Sequence, residues 1–294
     1  MSDPILPDVA PIEARIVRVR DVDIGNERPF VLIAGPCQIE SEAHAFEMAD
    51  ALSGIAKAAG VPLIYKSSYD KANRTSGGAA RGGGILAAVR ERFRIPVLTD
   101  VHAPDQCDPA AEAVDILQIP AFLCRQTDLL LAAGETGRAI NIKKGQFLAP
   151  QDCANIVAKF TSFPAAKKGA AKHRLVLIER GTSFGYNTLV TDFRALPIMR
   201  GFGVPVIFDG THSVQAPGGL GTASGGCGHF APMMMRAAMA VGVEGVFMET
   251  HDEPAKALSD GPNVVPAREL LAVLKDLRAI HDLLGRRDPP VPRG

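Results

Sequence analysis

Val61-Pro62-Leu63-Ile64-Tyr65 is a short apolar run that leads straight into Lys66-Ser67-Ser68-Tyr69-Asp70-Lys71-Ala72-Asn73-Arg74-Thr75-Ser76. The first stretch reads as a buried strand. The second carries three cations, an amide and several hydroxyls away from the strand's end. That set suits a small, multiply anionic ligand: an ammonium supplies a point charge, a guanidinium a bidentate fork, and hydroxyls further donors. A solvated polar loop is the alternative for any single basic stretch. It weakens here because the same succession, apolar run then polar group, recurs along the chain.

Eight such runs are candidate strands: Val31–Ala34, Pro62–Lys66, Pro96–Thr99, Asp115–Gln118, Ala139–Lys143, Leu175–Glu179, Val206–Asp209 and Gly245–Glu249. Segments of helical period separate them. Ser41 can cap a helix whose inner face is Ala45, Ala49, Leu52 and Ala56, with Glu42 in the first turn. Ile85, Val89 and Phe93 mark a second face, and Leu270, Leu274, Leu277 and Leu284 a last one that stops near Gly285. This alternation predicts an α/β fold, a single (β/α)8 TIM barrel over residues 1–294, with a doubly wound sheet as the alternative. The latter is weak, because no G-x-G-x-x-G follows the first strand. Residues 13–29, with Ile16, Val17, Val19 and Val22, suggest a short N-terminal β-hairpin; 286–294 reads as a loose tail.

Thirty-two Lys and Arg balance thirty-two Asp and Glu in the 294 residues. No global field therefore recruits nucleic acid or an anionic membrane, and an anion site must be local. The N-terminus lacks the basic and apolar regions of a secretory signal, and no apolar run approaches the ~18 residues of a membrane span. Five cysteines (Cys37, Cys107, Cys124, Cys153, Cys227) without a C-x-x-C pair fit free thiols in a reducing, cytoplasmic setting.

In a barrel, side chains just past each strand converge on one face. The strand ends supply Cys37; Lys66 with the basic cassette; Asp100 and His102; Gln118; Lys143 and Lys144; Arg180; His212; and Glu249 with His251. Lys66, Lys71, Arg74, Lys143 and Arg180 suffice for two phosphates and a carboxylate. Cys37, His212, Glu249 and a downstream acid such as Asp260 can form a divalent metal site, though only the fold can unite them. Each has a plainer reading. A lone cysteine beside Gly-Pro is often a small, inert, half-buried residue; His102 and His251 can be hydrogen-bonded structural groups; Lys143 can be a Schiff-base lysine.

The chain resembles the 3-deoxy-D-manno-octulosonate 8-phosphate synthase family, metal-dependent class. The resemblance rests on Gly35-Pro36-Cys37-Gln38-Ile39-Glu40-Ser41, the cassette ending Lys71-Ala72-Asn73-Arg74-Thr75-Ser76, and Thr99-Asp100-Val101-His102. It continues through Gln118–Asp128, Asn141-Ile142-Lys143-Lys144-Gly145-Gln146-Phe147, Glu179–Tyr186, Asp209-Gly210-Thr211-His212-Ser213-Val214-Gln215, Glu249-Thr250-His251 and Ala257–Pro262. These motifs run in family order from about Val31 to the final helix. A sister family of heptulosonate 7-phosphate synthases usually carries Lys-Pro-Arg-Thr-Ser where this chain has Lys71-Ala72-Asn73-Arg74-Thr75-Ser76. The stretch Ala165–His173 departs from the pattern as a small basic insertion.

The resemblance implies condensation of phosphoenolpyruvate with D-arabinose 5-phosphate in the pathway to the Kdo sugar of lipopolysaccharide. Lys143, Arg180 and the Lys66/Lys71 region then bind phosphoenolpyruvate, with Ser68 nearby and Gln118 and Ala121 lining its pocket. Arg74 and Thr75 meet the sugar phosphate, in the family from a neighbouring subunit, which implies a homotetramer. Asn73 reads a sugar hydroxyl; Asp100 and His102 handle hydrogen bonds and protons. Cys37, where metal-independent members have Asn, joins His212, Glu249 and Asp260 as ligands of Zn(II), Fe(II) or Mn(II). Gly218–Gly228 is a candidate closing loop. A class II metal aldolase, a Schiff-base aldolase using Lys143 and a non-catalytic sugar-phosphate sensor are the competing readings.

Overall fold

Two short antiparallel strands come first, β1 (Ile16–Val19) and β2 (Val22–Gly25), joined through a turn in which Arg20 adopts a left-handed φ of 54°. The computed structural model describes residues 16–26, 28–69, 79–162, 174–218 and 225–284. Eight parallel strands follow: β3 (Val31–Gly35), β4 (Leu63–Lys66), β5 (Val97–Asp100), β6 (Ile116–Ile119), β7 (Ala139–Lys143), β8 (Leu175–Glu179), β9 (Val206–Asp209) and β10 (Gly245–His251). Each pairs with its sequence neighbour, and β10 pairs back with β3, Gly245 opposite Val31, so the sheet closes into a (β/α)8 barrel. Helices α1 (Glu42–Ala59), α2 (Ala79–Phe93), α3 (Cys107–Ala113), α4 (Thr127–Glu135), α5 (Cys153–Ser162), α6 (Ala195–Arg200), α7 (Ala231–Val241) and α8 (Ala267–Leu284) fill the crossovers and end the fold.

Strand parity divides the core in two, because successive side chains point to opposite faces of a sheet. Val31, Ile33, Ile64, Leu98, Ile116, Ala139, Val176, Ile178, Ile207 and Phe247 form the inner cluster, together with Val17, Val19, Val22 and Ile24 of the hairpin. The hairpin thus plugs one end of the barrel with its own apolar side chains. Residues of opposite parity, such as Leu32, Leu63, Tyr65, Val97, Leu117, Ile140, Leu177 and Phe208, pack outward against the helices. Each fully buried aliphatic or aromatic side chain stabilises the fold by about 1.5–3 kcal/mol, so a one-residue slip of any strand is strongly disfavoured.

The helix over Glu42–Ala59 shows why the local sequence suffices there. The backbone N–H of His44 donates to Ser41 Oγ at 3.1 Å, Glu42 lies in the first turn, and Gly60 closes the helix at φ 66°. Its buried face holds Ala45, Met48, Ala49, Leu52 and Ala56. The face of α2 differs from the expectation. Leu86 and Val89 are fully buried while Ile85 and Phe93 are only partly so. Gly82 faces inward against Tyr69, where a Cβ would come within 2.6 Å of the Tyr69 Cβ, and this close approach sets the helix's rotation. In α8, Leu270, Leu274 and Leu277 are buried as expected, and Leu284 is half-buried. Lys71, Asn73, Arg74 and Thr75 of the cassette lie outside the described residues, as do 165–173, 219–224 of the glycine-rich stretch and the 286–294 tail.

Candidate active site

Continuing the inward parity along each strand exchanges apolar for polar side chains at the C-terminal end of the barrel. Ile33 is followed by Gly35 and then Cys37, Ile64 by Lys66, Leu98 by Asp100, and Ile116 by Gln118. Ala139 is followed by Asn141 and Lys143, Ile178 by Arg180, Ile207 by Asp209, and Phe247 by Glu249. One end of the barrel is therefore an apolar plug and the other a polar mouth. Gly35 permits the closest strand approach there, since a Cβ on it would overlap the carbonyl oxygen of Lys66.

Cys37, Glu249 and Asp260 present a thiol and two carboxylates whose ligating atoms lie within 4.8 Å of one another. Cys37 Sγ is 3.1 Å from Asp260 Oδ2, and Asp260 Oδ1 accepts from Gln215 Nε2 at 2.7 Å. Asp260 itself has a left-handed φ of 57°. His212 stands at the edge of this group. Its Nδ1 is 2.8 Å from Asp209 Oδ2, which leaves Nε2 toward Glu249 Oε1 at 3.7 Å. A carboxylate on one ring nitrogen is how a ligand imidazole is fixed in tautomer and orientation. Thiol, imidazole and two carboxylates fit a Zn-type divalent cation. Crowded acids at these separations also require nearby positive charge, which the described residues supply in part through Lys66, whose Nζ is 2.6 Å from Glu249 Oε1 and 2.9 Å from the Cys37 carbonyl.

Of the cations expected to hold anions, the described ones, Lys66, Lys143 and Arg180, stand at the mouth, and each has a partner there. Lys143 Nζ donates to Asp209 Oδ2 at 2.8 Å and lies 3.8 Å from the centre of the Phe247 ring, the environment of an ammonium. Burial is the largest influence on Asp209 and pushes its carboxyl up, yet His212 and Lys143 together outweigh it and hold it well below the usual range. Arg180 is buried; its Nη2 donates to Gln215 Oε1 at 2.8 Å, while its Nη1 has no hydrogen-bond partner among the described residues. Burial lowers its pKa, opposed by the charges of Asp209, Glu179, Asp260 and Glu249.

A polar relay lines the wall between β4 and β7. Asp100 accepts from Ser68 Oγ at 2.6 Å and from Gln118 Nε2 at 2.7 Å, and Gln118 Oε1 accepts from Asn141 Nδ2 at 3.1 Å. Ala121 is buried at the start of the turn after β6. The backbone N–H of His102 donates to Gln106 Oε1 at 2.7 Å; its Nδ1 is buried without a hydrogen-bond partner among the described residues.

Asp209, Asn141 and Gln215 belong to motifs quoted from the sequence, yet sequence reasoning gave them no role. The signal was available: Asp209 ends its strand two residues past an inward Ile207, as Asp100 does past Leu98. Lys144, at the same strand end as Lys143, instead takes the outward parity. Its Nζ donates to the carbonyls of Gly145 and Leu148 and to Thr182 Oγ1, each at 3.2 Å, and lies 3.5 Å from Glu179 Oε2. It is a brace behind the mouth. His251, also at a strand end, faces Glu40 at 3.1 Å.

A family model described as the DAHP synthetase I family matches residues 10–282. Among curated relatives, the 2-dehydro-3-deoxyphosphooctonate aldolase of Granulibacter bethesdensis is 62% identical over 280 residues, covering 93% of this chain and 96% of that protein. The protein of the same name from Rhodopseudomonas palustris strain BisB5 is 58% identical over 281 residues, covering 93% and 96%. That from Nitrobacter hamburgensis is 54% identical over 287 residues, covering 95% and 98%.

Proposed function

Since this chain belongs to the DAHP synthetase I family and, within it, to the 2-dehydro-3-deoxyphosphooctonate aldolases, we propose that it condenses phosphoenolpyruvate with D-arabinose 5-phosphate and water. The products are 3-deoxy-D-manno-octulosonate 8-phosphate and inorganic phosphate, on the route to the Kdo of lipopolysaccharide. The observation that carries this reading is one mouth holding both an anion-binding pair, Lys143 and Arg180, and the Cys37, Glu249 and Asp260 group.

Phosphoenolpyruvate lies deepest, its charged groups against Arg180 Nη1, Lys143 and Lys66, with Ser68, Gln118 and Ala121 beside it. Lys71 joins Lys66 in binding phosphoenolpyruvate, Asn73 reads a sugar hydroxyl, and Arg74 and Thr75 take the sugar phosphate. The C3 carbon of phosphoenolpyruvate bonds to the aldehyde carbon, whose oxygen gains the electron pair and then a proton. Water adds at C2 and loses a proton, and the C2–O bond to phosphate breaks to give the ketone. His102, whose Nδ1 is buried without a hydrogen-bond partner among the described residues, handles a proton, and Asp100 is kept oriented by Ser68 and Gln118. Fixed dipoles of this kind need no reorganisation as charge develops.

Cys37, His212, Glu249 and Asp260 hold a divalent cation, Zn(II), Fe(II) or Mn(II), which when bound supplies Lewis-acid stabilisation of negative oxygen. What supports it is the donor set: Cys37, Glu249 and Asp260 present a thiol and two carboxylates within 4.8 Å of one another, with His212 Nε2 toward Glu249 Oε1 at 3.7 Å.

Phe122, Phe147, Phe184 and Tyr186, on three successive loops at the mouth, are exposed by 73%, 56%, 71% and 97%. Ser183 N–H donates to the Gln146 carbonyl at 2.9 Å, which ties two of these loops together. Large apolar groups gathered in this way favour burial against another surface, in keeping with a homotetramer. None of the five cysteines is in a disulfide, in keeping with a cytoplasmic enzyme. No helix among the described residues is long and apolar enough to cross a membrane.

The test is phosphate release from phosphoenolpyruvate with arabinose 5-phosphate or erythrose 4-phosphate, with and without chelator. Release is expected only with the five-carbon sugar and only without chelator. Equal release with erythrose 4-phosphate would move the enzyme to the sister reaction.

A further inference from the structure

Arg180 differs from the other described cations at the mouth in what holds it. Lys66 and Lys143 donate to carboxylates, Glu249 at 2.6 Å and Asp209 at 2.8 Å. Among the described residues, the acceptors of Arg180 Nη2 are neutral oxygens: Gln215 Oε1 at 2.8 Å and the His212 carbonyl at 3.4 Å. Its direct anchor is thus a dipole and not a countercharge. The far side of the same amide reaches the Cys37 group, because Gln215 Nε2 donates to Asp260 Oδ1 at 2.7 Å. Asp260 Oδ2 is then left to the Cys37 thiol at 3.1 Å and the Ser259 hydroxyl at 3.0 Å.

Chemistry fixes which way the amide points. A guanidinium only donates and an ionised carboxylate only accepts, so the oxygen of Gln215 faces Arg180 and its nitrogen faces Asp260. A glutamate there would satisfy Arg180 but set a second negative charge against Asp260. A methionine would satisfy neither. The backbone holds the residue in place as well. Gln215 N–H donates to the His212 carbonyl, and Gln215 pairs with Gly226 in a two-residue antiparallel ladder. Buried Asn263 ties that ladder to the acid: its Nδ2 donates to the Gly225 carbonyl at 3.1 Å and its N–H to the Asp260 carbonyl at 2.8 Å.

We propose that Gln215 is a positioning residue shared by the two halves of the mouth: it aims Arg180 at the phosphoenolpyruvate anion and turns Asp260 Oδ2 toward the cation. The inference rests on the reading of the mouth given above and adds to it a residue that acts through its two neighbours. Two substitutions separate the halves. Gln215→Glu keeps an acceptor for Arg180 but offsets its charge, and it adds negative charge beside Asp260. The anion half weakens while the cation half holds or gains. Gln215→Met removes both hydrogen bonds, so both halves weaken. A role in folding alone would move both halves in the same direction in either variant.

Two titrations of the full-length protein read the halves separately. Phosphoenolpyruvate is titrated by calorimetry into metal-free and cobalt-loaded protein, and cobalt(II) is followed by the charge-transfer band of its bond to the Cys37 thiolate. Gln215→Met is expected to weaken each by about tenfold, the scale of one hydrogen bond to a charged group. Gln215→Glu is expected to weaken phosphoenolpyruvate binding by about 10–100-fold, with cobalt affinity equal to that of the parent or higher. If Gln215→Met loses its folded circular-dichroism spectrum, Gln215→Glu alone decides. Parental phosphoenolpyruvate affinity in Gln215→Glu, or a clear loss of cobalt affinity in it, overturns the inference. A parent protein that binds no phosphoenolpyruvate in either state, or no cobalt(II), overturns the reading of the mouth and the inference with it.

Discussion

The two ends of the barrel treat buried charge in opposite ways. At the plugged end the buried acids Glu244 and Asp115 have structural partners. Glu244 Oε1 is 2.9 Å from Arg200 Nε, its Oε2 accepts the Val206 N–H at 2.7 Å, and Arg200 reaches Asn26 of the hairpin's end at 3.2 Å. Asp115 likewise accepts the Val97 N–H at 3.1 Å and lies 3.7 Å from Arg20. At the mouth, acids crowd one another, and Arg180 Nη1 and His102 Nδ1 are buried without hydrogen-bond partners among the described residues. Unmade hydrogen bonds of buried groups cost about 1–3 kcal/mol each. At the plugged end the buried acid Glu244 is paired within the protein, though Arg200 Nε reaches it as an ion pair outside hydrogen-bond geometry.

The comparison breaks most sharply at Cys37. Cys37→Ala is expected to lose bound metal and about 10³-fold in kcat, the scale of removing a preorganised electrostatic group. Metal analysis and steady-state rates read both together, and full activity under thorough chelation would refute a required metal.

Two arginines then test the ends against each other. Arg180→Met should lower kcat/KM for phosphoenolpyruvate by about 100-fold, near 3 kcal/mol, with melting temperature unchanged or raised. Arg200→Met should do the reverse, leaving KM alone while destabilising the fold by about 3 kcal/mol, since it strands Glu244 as a buried charge. Urea titrations beside kinetics decide; an Arg200→Met variant with altered KM and intact stability would erase the distinction.

Arg200→Met also has a pH signature. Burial raises the Glu244 pKa above its ordinary value, opposed by Arg200 and the Val206 N–H, and removing Arg200 raises it further. The folded state then keeps a proton that the unfolded state has released, so stability falls as pH rises through that window. The deficit of the variant is therefore largest near neutrality and should narrow as pH is lowered toward the ordinary carboxylate range. Smallest in effect, Ile24→Val in the plug should cost about 0.5–1.5 kcal/mol and leave every kinetic constant in place; a changed KM would show that the hairpin reaches the chemistry.

Periodicity made the barrel readable because burial on two faces leaves a strand few polar positions. Ala139–Lys143, Leu175–Glu179 and Val206–Asp209 have the bounds expected from their apolar runs. The last strand runs on to His251, two residues beyond expectation, because Thr250 and His251 find partners in Val265 and Pro266, a long-range pairing absent from local sequence. Pro62 and Pro96 fall just outside their strands: lacking an N–H, they only accept, from Leu32 and Tyr65. Ile85 as an inner residue of α2 failed because the Gly82–Tyr69 approach, a tertiary contact, set the helix's rotation.

By itself the sequence determined the alternation of strands and helices and which residue types stand at each strand's C-terminal end. Apolar spacing and capping are local, so they survive in one dimension. Only the tertiary structure decided that Cys37 meets Asp260 across 223 positions of chain, that Lys143 faces inward while Lys144 faces out, and that the Gln215 amide reaches both Arg180 and Asp260. Those outcomes depend on strand parity and ring closure, and closure exists only once the last barrel strand has hydrogen-bonded to the first.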